Sequence, residues 1–241
     1  MNRFKEYIRD QQFNPKILGI FINPFYLVRR KLRGVMVLLS DNIKGQTLDV
    51  GCGEKPYEKI FKNVSSYTGI EFDSLKNRAK FKKIDAWYDG QTFPFDDNKF
   101  DSIIMTQVLE HIFNPDHFLE EVRRVTKSGG SLLLSVPFVW DEHEQPHDYA
   151  RYSSFGLAHL LQNHGFEIKK QLKSSPDVGV IFQLMACYIH KRLSWIKSYK
   201  IRLILYIFLI SPFTVLSIIL SKILPKNQDL YMDSIVLARK I

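Results

Sequence analysis

Residues 48–53, Leu-Asp-Val-Gly-Cys-Gly, constrain this 241-residue chain more than any other stretch, because they run a hydrophobic strand into an acidic, glycine-rich turn. Glycines at 51 and 53 let the backbone approach a ligand where a Cβ would collide, and Asp49 supplies a carboxylate to a positively charged or hydroxyl-bearing group. A turn of this kind receives a nucleoside in many α/β proteins. It also arises as a plain strand-to-helix connection, so its meaning rests on the residues C-terminal to it.

Those residues form a regular succession of strand-like and helix-like segments. Ser66–Asp73 reads as a second strand at the spacing of a β-α-β unit, and an acid at its end is where such folds hold ribose hydroxyls. Glu71 is the candidate, with Asp73 as competitor; the alternative is a solvated carboxylate. The segment from Phe81 to Ala86 has a short strand pattern, and Asp85 at its end is placed to accept a hydrogen bond from an adenine amino group. Phe100 to His111 reads as a buried apolar strand running into a helix start. Asn114 and Pro115 fit an N-cap and first helical position, and the spacing of Phe118, Leu119 and Val122 predicts a helix ending near Gly129-Gly130. Ser131–Pro137 is a continuous apolar run of the kind buried on both faces of a parallel sheet. Strands and helices alternating in this way predict a doubly wound α/β domain.

These residues resemble the class I S-adenosylmethionine-dependent methyltransferases, in particular the group whose domain is called methyltransferase type 11. The resemblance covers roughly residues 46–172 and the last strand. It rests on Leu48-Asp-Val-Gly-Cys-Gly53, on Gly69-Ile-Glu71, and on Phe100-Asp101 with Val108-Leu-Glu-His111. It implies a Rossmann-like seven-stranded sheet, its last strand antiparallel and inserted between the fifth and sixth, with S-adenosyl-L-methionine as cofactor. By the same resemblance Asp49, Gly51, Cys52 and Gly53 surround the methionine part. Glu71 holds the ribose, Asp85 with Ala86 the adenine, and Gln107, Val108 and Leu109 the remaining side; Phe72, adjoining Glu71, is counted among the cofactor-binding residues. One departure stands out: the family's usual third glycine is replaced in Glu54-Lys55-Pro56-Tyr57, a bulkier run that the next helix must begin around. No G-x-x-x-x-G-K-[ST] segment exists, and a dehydrogenase G-x-G-x-x-G is interrupted by Pro56.

The reaction implied is displacement at the methyl carbon of a sulfonium, in which the cofactor carries the activation and the protein aligns a nucleophile. A hydroxyl acceptor also requires a base, worth roughly 10²- to 10⁴-fold. His111 comes after the fourth strand at the carboxyl edge of the sheet, where ligands of open α/β folds bind; the alternative is a histidine that packs on the cofactor or caps a helix. The second source is the loop Trp140 to Tyr152, whose Pro146-His-Asp-Tyr149 and Arg151-Tyr152 look like a stretch recurring over the active site of type 11 enzymes. His147 and Tyr149 are its candidates. His143, Glu144 and His147 are metal-ligand types, but three ligands within five loop residues are sterically awkward without an outside partner, so no metal is expected.

Two cysteines far apart in sequence, one inside the turn, argue against a disulfide framework and for a reducing compartment. The start of the chain is polar and charged through Gln12 without a small-residue cleavage site, so no cleavable signal peptide is expected. The net charge of +9 is uneven: residues 1–40 carry eight Lys or Arg against two acids, and residues 178–228 carry seven against none, leaving −4 on the rest. Leu203 to Leu220 is an aliphatic run that nucleic acid offers nothing to bury. As a helix it would be roughly 27 Å long, close to the approximately 30 Å of a bilayer core. Pro212 would break that helix, and the final strand must return to the sheet. The expectation is a kinked hairpin dipping into one leaflet, with Lys191, Arg192, Lys197, Lys200 and Arg202 on anionic headgroups and Trp195 at the boundary. The N-terminal mixture of Phe21, Phe25, Tyr26 and Leu27 with Arg29, Arg30, Lys31 and Arg33 is expected to join it. The alternative for both is a helical lid with its apolar run buried in protein.

The expected organisation is a basic helical segment (1–45), a methyltransferase core (46–177), a basic hydrophobic helical insert (178–228) and a final core strand (229–241). The expected activity is methyl transfer to a small-molecule or lipid-linked acceptor at an anionic membrane surface, on the cytoplasmic, inner face of the plasma membrane. A sugar or glycolipid hydroxyl is the first choice and a quinone or lipid the second. A non-catalytic membrane-anchored scaffold that binds the cofactor is the rival of another class, motivated by Lys55 and Pro56. Nucleic acid is not an expected partner, and the sequence leaves the oligomeric state open.

Overall fold

Short apolar strands bounded by glycine, proline and acidic turns alternate with helices through most of the chain, and the computed structural model, which describes residues 3–241, converts that alternation into sixteen numbered elements. From the N-terminus they are α1 (Arg3–Phe13), α2 (Gly19–Ile22), α3 (Tyr26–Leu39), β1 (Lys44–Val50), β2 (Asn63–Phe72), α4 (Leu75–Lys80), β3 (Ala86–Tyr88) and β4 (Phe100–Thr106). They continue with α5 (Pro115–Val125), β5 (Thr126–Pro137), α6 (Ser154–Asn163), β6 (Phe166–Lys173), α7 (Gly179–Leu193), α8 (Tyr199–Leu209), α9 (Ser211–Ile223) and β7 (Asp233–Lys240). The chain divides into a helical unit, up to Gly34 and from Lys173 to Met232, and a sheet unit, Val35–Leu172 with Asp233–Ile241.

In the sheet unit the strand order is β3-β2-β1-β4-β5-β7-β6. The ladders from β3 through β5 are parallel, and β7 runs antiparallel to β5, from Ser131 opposite Arg239 to Pro137 opposite Asp233. This is the expected seven-stranded α/β fold with its last strand reversed. The reason lies in composition: Leu48, Val50, Ile103, Met105, Leu132, Leu134 and Val236 are fully buried, as central strands covered on both faces require. Each such side chain contributes roughly 1.5–3 kcal/mol by leaving water. Order reverses beside β1, where β2 and β4 flank it, and the crevice at the carboxyl ends of such strands is where ligands bind in open α/β sheets.

Four local expectations are corrected. No α-helix crosses from β1 to β2; a 3₁₀ turn, Glu58–Ile60, takes its place, because Pro56 lacks an N–H and Lys55 sits at φ 54° just before it. The third strand is Ala86–Tyr88, after an irregular Phe81–Asp85 that caps and leaves α4. Helix α5 starts as expected, with Asn114 accepting from the His117 amide at 3.4 Å and Pro115 first, but it ends at Val125. Gly129-Gly130 instead lies in β5 where register is lost: Phe100 pairs with Thr126 and Ser102 with Ser131, and Gly129 takes φ 72°. The last strand begins at Asp233, later than Asp229.

In the helical unit the N-terminal helices and the insert pack on each other. Gln183 on α7 accepts from the Val28 amide at 3.2 Å and donates to the Pro24 carbonyl at 2.9 Å. The aliphatic run breaks at Ile210, where α8 stops and Pro212 opens α9; the Ser211 hydroxyl reaches the carbonyls of Tyr206 and Ile20, both at 3.1 Å, and the Tyr206 carbonyl also accepts from the Ile210 amide at 3.0 Å.

Candidate active site

The turn after β1 is shaped by backbone conformations that side chains resist. Gly51 and Gly53 lie at φ 66° and 50°, and a Cβ on Gly51 would come within 2.5 Å of Val108. The Gly51 and Cys52 amides both donate to the Ile70 carbonyl, at 2.9 and 3.3 Å, so the turn is fastened across to β2. Gly53 donates to Glu71 Oε2 at 3.0 Å and the Phe72 amide to Oε1 at 3.2 Å. Glu71 therefore stands at the end of β2 against the turn, with acceptor capacity left for ribose hydroxyls. Burial pushes its carboxyl above the ordinary range, and the two amides oppose that.

Asp49 is buried, and its Oδ2 accepts from the Tyr67 hydroxyl at 2.7 Å. Burial pushes its pKa up to about 7 despite that hydrogen bond. Tyr67 is a residue that sequence reasoning missed; its signal was the alternation Tyr67, Gly69, Glu71 on one strand. Cys52 is buried, and burial beside Asp49 and Glu71 holds its thiol far above the ordinary range, so it packs as a small apolar group. Asp85 Oδ2 accepts from the Gly69 amide at 2.6 Å and pairs with the Lys55 ammonium. The Lys55 stem crosses above Gly69, where a Cβ would meet it at 2.5 Å. Ala86 pairs with Ile70 in the ladder, and Phe72 is exposed with its ring edge-on to Tyr88 at 6.0 Å.

On the other side of the turn, Gln107 takes φ 58° as β4 ends, and its amide and side chain both donate to Ser135, at 2.9 and 3.2 Å. Val108 closes on Gly51, while Leu109 is fully buried in the core and supports the segment from beneath.

A 3₁₀ turn, Leu109–His111, then presents a second set of groups. The loop after β5 folds back on it: the Tyr149 and Ala150 amides donate to the Glu110 carbonyl at 2.8 and 3.2 Å. His111 Nδ1 donates to the His147 carbonyl at 2.6 Å, and its ring meets that of His143 at 4.7 Å between centroids. Burial lowers the His111 pKa, and the bond to the His147 carbonyl partly offsets it. Glu110 is fully buried with neither carboxylate oxygen hydrogen-bonded to another residue, and burial pushes its pKa up to about 8. Arg151 clamps Asp148 at 2.6 and 2.7 Å, holding that carboxyl down to about 2, and Asp148 in turn accepts from the His143 amide at 2.9 Å.

Of the expected bases, His111 thus stands at the sheet edge with its Nε2 turned from the His147 carbonyl. His147 and Tyr149 form a separate, exposed pair, Nδ1 to hydroxyl at 2.9 Å, with Tyr149 resting on Phe113 at 5.3 Å. Glu144 points elsewhere, to Lys76 at 2.9 Å and Lys80 at 3.4 Å on α4. Glu110 and His143 were visible as residues but not as members of one cluster, since only the returning loop joins positions 110 and 143.

Residues 48–134, the stretch holding this glycine turn, its acids and the exit of β4, match the Methyltransf_11 family, a methyltransferase domain. The chain carries a class I, S-adenosylmethionine-dependent methyltransferase domain. Within this methyltransferase group, a probable S-adenosylmethionine-dependent methyltransferase of Mycolicibacterium smegmatis is 26% identical over 136 residues, 52% of this chain and 53% of that protein. A ubiquinone biosynthesis O-methyltransferase of Coxiella burnetii is 25% identical over 187 residues, 62% of this chain and 79% of its own. The chain spans about half the length of the first curated relatives that it matches. The crystal structure of a putative sarcosine dimethylglycine methyltransferase from Galdieria sulphuraria superposes with a TM-score of 0.56 over 99% of this chain and 97% of that one, at 14% identity, a likeness of fold alone.

Proposed function

We propose that this methyltransferase transfers the methyl group of S-adenosylmethionine to a hydroxyl of a membrane-proximal acceptor, a sugar or glycolipid in a glycan pathway, at the inner face of the plasma membrane. Asp49, Gly51, Cys52 and Gly53 take the methionine part, Glu71 and Phe72 the ribose, Asp85 and Ala86 the adenine, and Gln107 to Leu109 the remaining side. His111 is the group placed to receive the acceptor's proton, with His147 and Tyr149 shaping the acceptor's approach from the loop.

The observation that carries the membrane part is the surface of the helical unit. Tyr199–Ile223 is long and apolar enough to cross a bilayer, yet only 28% of its most apolar window is buried in protein. Ile201, Ile204, Phe208, Val215, Leu216, Ile219 and Ile223 are exposed, and so is Trp195. A soluble core helix would hide such residues; an exposed apolar face flanked by Lys191, Arg192, Lys197 and Lys200 suits one leaflet of an anionic membrane. The break at Ile210 favours an interfacial pair over a straight span.

The identity to a ubiquinone O-methyltransferase favours a second acceptor, a quinone-ring hydroxyl, which would also lie in the membrane. The scaffold reading loses ground because Lys55 reaches past Gly69 to Asp85 and leaves the Glu71 edge of the turn to the Gly53 and Phe72 amides. Methyl-labelled S-adenosylmethionine incubated with the protein and total membrane extract tests all three. Label in glycolipid supports the first reading and label in quinone the second; a folded, cofactor-binding protein that labels neither would sink both.

A further inference from the structure

We propose that Glu110, His111 and His143 form a binding site for one divalent transition-metal ion, at the carboxyl edge of β4 beside the cofactor turn. Each residue offers one ligand atom, and these atoms lie within 4.8 Å of one another. Donors around a tetrahedral zinc ion at about 2.1 Å stand about 3.4 Å apart, so side-chain rotations alone close the site.

Three further features fit a metal better than a hydrogen-bonded cluster. First, His111 Nδ1 faces the His147 carbonyl, which can only accept, so that nitrogen carries the proton and Nε2 keeps its lone pair, 3.8 Å from Glu110 Oε1. Second, His143 Nδ1 lies 3.3 Å from both the Asp141 carbonyl and Asp148 Oδ2, so its other nitrogen is directed in the same way. Acceptors behind both rings are how proteins fix the tautomer of metal-bound histidines. Third, Glu110 is fully buried, yet its two oxygens make no hydrogen bond to another residue, and buried carboxylates rarely go without a partner. A cation between the rings supplies it.

The sequence alone argued against a metal because His143, Glu144 and His147 are crowded in one loop. The fold removes that objection: Glu144 leaves for Lys76, His147 contributes its carbonyl from behind, and the missing ligands come from the exit of β4. Two imidazoles and one carboxylate suit zinc, iron(II), cobalt(II) or manganese(II) rather than calcium or magnesium, which favour all-oxygen shells. Three protein ligands leave a position open. Resting on the methyl-transfer reading, that position takes the acceptor's hydroxyl oxygen, where the ion's charge favours loss of the proton to solvent before attack on the methyl carbon; with its Nε2 on the ion, His111 then acts as a ligand in place of the proton acceptor it is in the metal-free site.

The test uses the full, tag-free chain in detergent, stripped with a chelator and dialysed. Cobalt(II) and zinc(II) are titrated by absorption spectroscopy and calorimetry, and S-adenosylmethionine binding is measured separately on the metal-free protein. The expected result is one ion per chain, with a cobalt absorption spectrum of low coordination number. Affinity should fall at least about tenfold in both E110Q and H143A and stay unchanged in H159A, an exposed histidine on α6. Glu110 is deeply buried, so H143A keeps the test decisive if E110Q fails to fold. No stoichiometric ion in folded protein that binds S-adenosylmethionine would overturn the site, as would equal affinity in H143A. Metal binding without cofactor binding would uphold the site and overturn the methyl-transfer reading.

Discussion

His111 donates through Nδ1 to the backbone carbonyl of His147 at 2.6 Å, so one expected base is aligned by the main chain of the other. The two histidines cannot then be exchangeable. In a hydroxyl-directed transfer, H111A should lower turnover by roughly 10²- to 10⁴-fold, the usual range for a positioned proton acceptor. H147A keeps the carbonyl and should change mainly the Michaelis constant for the acceptor. Turnover and Michaelis constants of both variants, measured side by side, check this; equal losses of turnover would contradict it.

Asp49 gives the apoprotein a pH dependence. Its pKa rises on folding from the ordinary 3.8 to about 7, so between those values the native state binds more protons than the unfolded chain. The Asp49 contribution to stability then falls as pH rises from about 4 to about 7, by at most about 1.4 kcal/mol per unit, and levels off above, while Glu110, raised to about 8, extends the decline to higher pH. Urea midpoints of metal-free, cofactor-free protein at pH 5 and pH 8 should show it. D49N should make the profile shallower, the remaining slope coming from Glu71 and Glu110, gain about 1–3 kcal/mol over the parent at pH 8, and lose cofactor binding.

Tyr67 stabilises the ionised form of Asp49 through its hydroxyl. Y67F should therefore move the midpoint of pH-dependent S-adenosylmethionine binding upward and weaken binding at pH 7 by roughly tenfold, since a hydrogen bond to a charged group is worth about 1.5–3 kcal/mol. Calorimetry across pH 6–9 checks the direction.

Gly51 has no room for a side chain. G51A places a Cβ 2.5 Å from the stiff, branched Val108 at a φ of +66°. A stability loss of about 1–3 kcal/mol and loss of cofactor binding are expected, read by thermal melts and calorimetry; a neutral outcome would mean that the turn relaxes freely.

Phe208 is 71% exposed on α8. F208S combined with I204S and I219S should leave the melting temperature nearly unchanged, because exposed substitutions usually stay within about 0.5 kcal/mol each. Co-sedimentation with vesicles containing anionic lipid should fall at least about tenfold, as about 0.8 kcal/mol is lost per methylene withdrawn. A lower melting temperature with intact vesicle binding would assign the face to protein packing.

Much of this was legible in the chain itself. The continuous apolar runs of β1, β4 and β5, the Asn114-Pro115 helix start and the acids at 49, 71 and 85 are local signals with local causes: buried parallel strands must be apolar throughout, and caps are read from neighbours in sequence. The chemistry of Leu48–Gly53 likewise comes from one glycine-rich turn. Boundaries were less legible, because Gly129-Gly130 reads as a helix end from propensity but serves as an irregularity within β5 once Phe100 and Ser102 dictate the register.

What only the tertiary structure decided is which distant groups meet. Tyr67 on Asp49, Lys55 on Asp85, and His143 beside Glu110 and His111 depend on strand register and on a loop that returns to the Glu110 carbonyl. Sequence spacing places residues along one strand or helix, whereas side-chain proximity across the sheet edge is set by packing. Burial likewise appears only on folding, and it is burial that changes the protonation of Asp49 and leaves the Glu110 carboxylate oxygens without a hydrogen bond from another residue.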